Sequence, residues 1–212
     1  FARLGLVAKV TEGSGGSFTE KISYEFMVLT DAGEDDILYC DSCDFCVNEE
    51  IVKQKEDAEC PSCKKDKLKR ATASEVGNVF DLGQKFGKDF DLGFLGRDGK
   101  KQYPVMGCYG IGISRTMGVI VEKCNDERGI IWPKVVSPYQ VHLIAIGDQR
   151  SEVSNLGKEE YEKLSKAGVE VLWDDRTDVS AGEKFADCDL IGIPVRLVIS
   201  EKAGKGNVEW KE

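Results

Sequence analysis

The sequence predicts an α/β protein in two parts: an antiparallel sheet with helices that carries a small cysteine-bearing insertion, then a small three-layer α/β unit. Three observations support this reading. Residues 2–111 hold short aromatic and β-branched segments separated by Gly and Asp-Gly turns, the texture of antiparallel strands. Five of the eight cysteines fall between residues 40 and 63. Beyond residue 140, strand-like and helix-like segments alternate, the signature of a mostly parallel sheet.

Taken in order, "ARLGLVAKV" reads as the end of a helix and a strand, and "YEFMVLT" as a second strand. "DAGEDDILYC" reads as a turn through Gly33 into a third, so an antiparallel hairpin is expected there. More antiparallel strands are expected from residue 75 to Gly112. From Ile113 the period changes: Ile113, Met117, Ile120, Val121 and Cys124 fall on one helical face, and Arg115 lies off it. "GIIWPKVVSPYQ", with Pro133 and Pro138, reads as a connector. We therefore expect domains at 1–136 and 137–212, with an insertion at 38–72. In the second domain "VHLIAI", "VEVLW" and "VRLVIS" read as strands, and residues 151–166 and "GEKFADCDLIGI" as helices.

Composition narrows the function. The 212 residues are 41% hydrophobic and carry a formal net charge of -9, which argues against gripping nucleic acid by bulk electrostatics. No apolar run approaches the roughly 20 residues of a membrane-spanning helix, so no membrane role is expected and the cytoplasm is the expected location. The chain starts at Phe1 and stops in "GNVEWKE", and is expected to be a fragment. Its sole histidine, His142, sits in an apolar strand, so imidazole-based nucleophilic catalysis is not expected.

Cys40-x2-Cys43 and Cys60-x2-Cys63 have the spacing of a structural four-cysteine zinc ribbon, because each CxxC turn can aim two thiolates at one tetrahedral ion. Cys46 is a possible alternate ligand, and a redox pair is the other chemistry open to these thiols. Residues 31–50 carry eight acidic side chains and no basic ones, whereas 53–70 hold Lys53, Lys55, Lys64, Lys65, Lys67, Lys69 and Arg70. Such a basic segment suits either RNA phosphate or a solvated face.

Residues 104–124, "PVMGCYGIGISRTMGVIVEKC", place Gly107, Gly110 and Gly112 in one strand that runs into a helix carrying Arg115 in its first turn. The order of glycines is that of neither a dinucleotide fingerprint nor a Walker loop. It suits a flat backbone platform for a planar base or small substrate, with Arg115 aimed at phosphate charge.

These residues carry a family resemblance. "MGCYGIGISRTMGVIVEKC" followed by "DERGIIWPKVVSPYQVHLIAIGD" resembles the third signature motif of a class II aminoacyl-tRNA synthetase and its exit toward the anticodon-binding domain, of the bacterial prolyl type. "GGSFTEKISYEFMVLTDAGEDDILYCDSCDF" resembles the segment after that family's second motif, and "EVGNVFDLGQKFG" the strand and loop before the third. The resemblance implies ATP-dependent activation of proline with magnesium, transfer to tRNA(Pro), and a homodimer. It assigns Arg115 to the ATP triphosphate, Gly110 and Gly112 to the adenosine and amino-acid floor, and Cys108, Phe80, Glu25 and Gly107 to the proline site. The tail resembles the anticodon-binding domain, with Asp174, Asp175, Arg176 and Lys184 near the anticodon.

Departures from the family are Tyr24-Glu25 in place of His-Glu and Gln84 in place of a loop threonine. The large editing insertion is missing between Phe45 and Glu75, so no clearance of mischarged alanyl-tRNA(Pro) in cis is expected. The first motif and the arginine of the second lie outside the chain, so the fragment alone is expected not to activate proline. Alternatives are a sister synthetase for threonine, glycine or histidine, and a non-catalytic zinc-ribbon RNA-binding paralogue.

Overall fold

The computed structural model describes residues 1–147 and 152–200, together with the backbone of Glu209–Lys211. They form two compact units, one of Phe1–Ala2 and Leu6–Glu122, the other of Arg3–Gly5 and Lys123–Glu212. The expected boundary at 136/137 lies inside the second unit. The reason is local bonding of the connector: Ile131 N–H donates to Cys124 O at 2.7 Å, and Trp132 Nε1 donates to Ile191 O at 2.9 Å.

The first unit contains, in chain order, β1 (Ala8–Gly13), β2 (Ser23–Leu29), β3 (Asp35–Tyr39), β4 (Cys46–Asn48) and β5 (Lys69–Gly83). These are followed by α1 (Lys85–Asp89), β6 (Phe94–Leu95), β7 (Lys101–Gln102), β8 (Met106–Ile111) and α2 (Ile113–Lys123). β2 alternates as its sequence requires: Ser23, Glu25 and Met27 are buried, while Tyr24 faces out. The expected hairpin between β2 and β3 does not form. Both strands instead pair antiparallel with β5, Tyr24 opposite Val79 and Tyr39 opposite Lys69. The pairings β1–β2–β5–β3–β4 return to β1 through Glu12 and Val47, so the sheet closes on itself around Met27, Ile37, Cys46 and Ala73.

Gly33 is what lets the β2–β3 turn cross β5. A side chain there would place Cβ 2.3 Å from Ala73 O, so only glycine permits the approach. β8 lies on the other edge of β5, with Phe80 opposite Cys108. The helix expected from Ile113 is present, but its phase differs. Thr116, Val119 and Ile120 are buried, while Ile113 and Met117 of the expected apolar face are exposed. The start of the helix is set by Gly112 N–H, which donates to Val76 O at 3.1 Å.

The second unit holds β9 (Val141–Ile146), α3 (Glu152–Lys166), β10 (Val171–Asp174), α4 (Ala181–Ile191), β11 (Val195–Ser200) and β12 (Glu209–Lys211). Residue 151 and the side chains of "GNVEWKE" lie outside the described residues. The strand order is β10-β9-β11-β12, parallel except for β12, as the alternating sequence requires. β9 lies between β10 and β11, so it is buried on both faces. α4 begins with a serine N-cap, Ser180 Oγ accepting from Glu183 N–H, and Gly192 ends the helix at φ 74°. Among the described residues no helix is long and apolar enough to cross a membrane.

Candidate functional site

Three groups of candidate residues can be followed into the structure. The first lies across β2, β5 and β8. Directly opposed residues of antiparallel strands share a face. Glu25 opposes Asn78, Asn78 opposes Gly110, and Phe80 opposes Cys108. Glu25, Asn78, Phe80, Cys108 and Gly110 therefore line one face of three adjacent strands. Gly107 falls on the opposite face with Tyr109 and Tyr24. Gln84 stands apart at the start of α1, donating to Tyr103 O at 2.8 Å.

Gly110 leaves room for the Asn78 amide. A Cβ there would lie 2.5 Å from Asn78 Oδ1. Glu25 sits at the inner end of this face over Gly13, and accepts from Asn48 Nδ2 at 3.3 Å. Burial pushes its carboxyl up to about 7, against the single Asn48 hydrogen bond, with Glu75, Asp35 and Glu50 adding like charge.

Arg115 occupies the first turn of α2, just beyond Gly112. Its Nη1 donates to Glu75 O at 2.9 Å and pairs with Glu34 Oε1 at 3.0 Å and Glu75 Oε2 at 3.5 Å. Asn78 Nδ2 donates to Glu75 Oε1 at 2.8 Å, which links this cluster to the face described above. Asn78, Glu34 and Glu75 were not singled out by sequence reasoning. Glu75 and Asn78 share β5, and Glu34 comes from the distant turn before β3, which the β3–β5 pairing brings beside them.

The second group is the thiol cluster. The sulfurs of Cys40, Cys43, Cys60 and Cys63 all lie within 4.8 Å of one another. Cys40 and Cys63 are 3.7 Å apart, and Cys43 and Cys60 3.6 Å. Four thiolates at about 2.3 Å around a tetrahedral zinc ion stand about 3.8 Å apart, so the cluster is compatible with zinc. Backbone donors already point at it, Ser42 N–H reaching Cys40 Sγ at 3.3 Å. Cys46 does not join them. Its side chain enters the sheet core, 3.1 Å from Thr11 Oγ1, which removes it from the ligand set. The charge runs also resolve: Lys69 pairs with Asp41 at 2.5 Å, and Arg70 with Asp36 and Glu49 at 2.8 and 2.7 Å.

The third group is at the end of β10. Asp174 accepts from Arg176 Nε at 3.0 Å and Nη2 at 2.8 Å, which holds its carboxyl below the ordinary value. Arg176 Nη2 also reaches Asp187 at 2.8 Å. These residues, with Asp175, His142 and Trp173, line a cavity of about 290 Å³. His142 is buried in β9, with its Nδ1 unpaired among the described residues. Lys184 is buried too, and ties strands together rather than facing solvent.

Residues 1–124 match the family model described as tRNA synthetase class II core domain (G, H, P, S and T). The chain belongs to that family. Residues 140–212 match the anticodon binding domain. The Proline–tRNA ligase of Exiguobacterium sibiricum is 49% identical over 144 residues, covering 68% of this chain and 25% of the relative. That of a Sulfurihydrogenibium species is 43% identical over 163 residues, covering 77% of this chain and 28% of the relative. The chain thus spans about a quarter of the length of these relatives. The crystal structure of prolyl-tRNA synthetase from Cryptosporidium parvum, complexed with L-proline and AMP, superposes with a TM-score of 0.68 at 20% identity. The superposition covers 99% of this chain and 38% of that one. This class II synthetase fold accommodates the expected sheet, the thiol insertion and the α/β tail.

Proposed function

We propose that the chain is part of a proline–tRNA ligase, carrying one side of the ATP and proline sites in its first unit and an anticodon-reading surface in its second. The observation that carries the reading is the common face of Glu25, Phe80, Cys108 and Gly110, with Arg115 at the start of the helix that follows. Relatives bearing the ligase name, at 43% and 49% identity, support it.

In this reading Gly110 and Gly112 keep side chains out of the way of flat substrates. Arg115 opposes the triphosphate charge of ATP, which is accompanied by magnesium, by positioned electrostatics rather than proton transfer. Phe80 and Cys108 present an apolar wall to the ring of proline. Glu25 accepts its cationic nitrogen, whose charge would draw the elevated carboxyl back toward ionisation. Gly107 contributes backbone only, from the other face. Asp175 and Arg176 meet tRNA(Pro) at the anticodon, and Lys184 holds the loop that carries them. Zinc in the four-thiolate site would be structural, since four protein ligands leave no open position. The whole protein would act as a cytoplasmic homodimer, without editing in cis.

The test is proline-dependent ATP–pyrophosphate exchange by the full-length protein, with threonine, glycine, histidine and alanine run beside it. Exchange with proline alone, lost in Arg115→Ala, is the expected result. No exchange with any amino acid from folded protein overturns the reading.

A further inference from the structure

We infer that Glu34 is a positioning residue, which fixes the Arg115 guanidinium for anion binding; this rests on the reading of Arg115 given above. An isolated surface ion pair would carry little weight, since exposed pairs contribute about 0–1 kcal/mol. Glu34 is not isolated. Its Oε1 accepts from Glu75 N–H at 3.2 Å and pairs with Arg115 Nη1 at 3.0 Å, so one oxygen joins the backbone of β5 to the first turn of α2.

The turn that bears Glu34 is itself held. Gly33 lies against the Ala73 backbone, Gly33 N–H donates to Thr30 O at 3.1 Å, and Asp35 opposite Ala73 opens the next strand pairing. Glu34 thus projects from a backbone anchored on both sides. On the other flank, Glu75 offers its carbonyl oxygen to the same Nη1, and the Asn78 amide holds the Glu75 carboxylate. A carbonyl, a carboxylate and a third, longer carboxylate contact therefore converge on a single nitrogen of Arg115.

That arrangement has a chemical consequence. Nε and Nη2 form no hydrogen bond or ion pair among the described residues, so the two nitrogens that can grip a phosphate side by side stay available. A guanidinium tethered through one nitrogen loses less rotamer freedom when it meets its ligand, and binding is favoured to that extent. The rival account is that Glu34 competes with the ligand for Arg115. It predicts the opposite sign on removal of the carboxylate.

The experiment is ATP–pyrophosphate exchange in the full-length protein, with KM determined separately for ATP and for proline. Glu34→Ala is expected to raise the KM for ATP about tenfold and leave that for proline within about twofold. Glu34→Gln keeps an oxygen for both donors, and is expected to recover to within about threefold of the unaltered protein. An unchanged or lowered ATP KM in Glu34→Ala overturns the inference in favour of competition. An equal rise in both KM values, or a Gln variant no better than Ala, overturns it as well. Absence of exchange in the unaltered protein overturns both this inference and the ligase reading.

Discussion

Lys184 Nζ donates to Ala145 O at 2.7 Å, with 3% of the side chain exposed. A second donation reaches Asp174 O at 3.4 Å, and the Asp174 carboxylate is 3.7 Å away. The ammonium therefore ties α4 to the ends of β9 and β10. Lys184→Met removes the ammonium that those carbonyls and the Asp174 carboxylate share, and is expected to destabilise by about 2–4 kcal/mol. Urea unfolding measures the loss; an unchanged midpoint would make Lys184 a bystander.

Glu25 makes stability depend on pH in an unusual direction. Its folded value of about 7 lies above the ordinary 4.5, so between these values the native state holds a proton that the unfolded chain has released. Stability contributed by the buried neutral carboxyl is full below about 4.5, falls as pH rises, and is gone above about 7. Glu25→Gln should flatten this limb. Thermal melts of both proteins from pH 4 to 8 check it, and parallel curves would count against the assignment.

The thiol cluster separates four cysteines from a fifth. Cys43→Ser is expected to abolish zinc binding, whereas Cys46→Ser keeps one ion per chain because Cys46 faces Thr11. Metal analysis of the purified variants decides this. Chelation should loosen residues 38–72 and leave the second unit folded, read by amide exchange.

Two glycines should respond oppositely to alanine. At Gly33 the added carbon meets Ala73 O, and a loss of about 1–3 kcal/mol is expected. At Gly118, inside α2, it meets nothing within 4 Å, and a gain of about 0.5–1 kcal/mol is expected from helix propensity. Denaturant midpoints of the two variants give both signs.

What the sequence revealed tracks how local each signal is. The second unit was legible because its strands and helices alternate within short windows. The knuckle spacing was legible because each CxxC turn is self-contained. The β2–β3 hairpin was misread because Gly33 marks a turn without revealing that both flanking strands have their partner in β5. The α2 periodicity was right but its phase was wrong, since anchoring at Gly112 and Arg115 turns Thr116 inward rather than Met117. Cys46 fits a metal pattern on paper, and only its place on β4 directs it into the core. Glu34 and Asn78 lie inside segments that resemble the family but carry no chemical signal of their own; the Gly33 turn and the register of β5 assemble them around Arg115.

The pairing of Tyr39 with Lys69 gives the chain a modular seam. Residues 40–68, β4 included, lie between the end of β3 and its partner β5, so they behave topologically as the loop of a long β3–β5 hairpin. Closing such a loop costs only about 0.6 kcal/mol more for each doubling of its length. An evolving lineage can therefore exchange what hangs there, a compact thiol knuckle or an entire additional domain, while the residues opposite Arg115 keep their places.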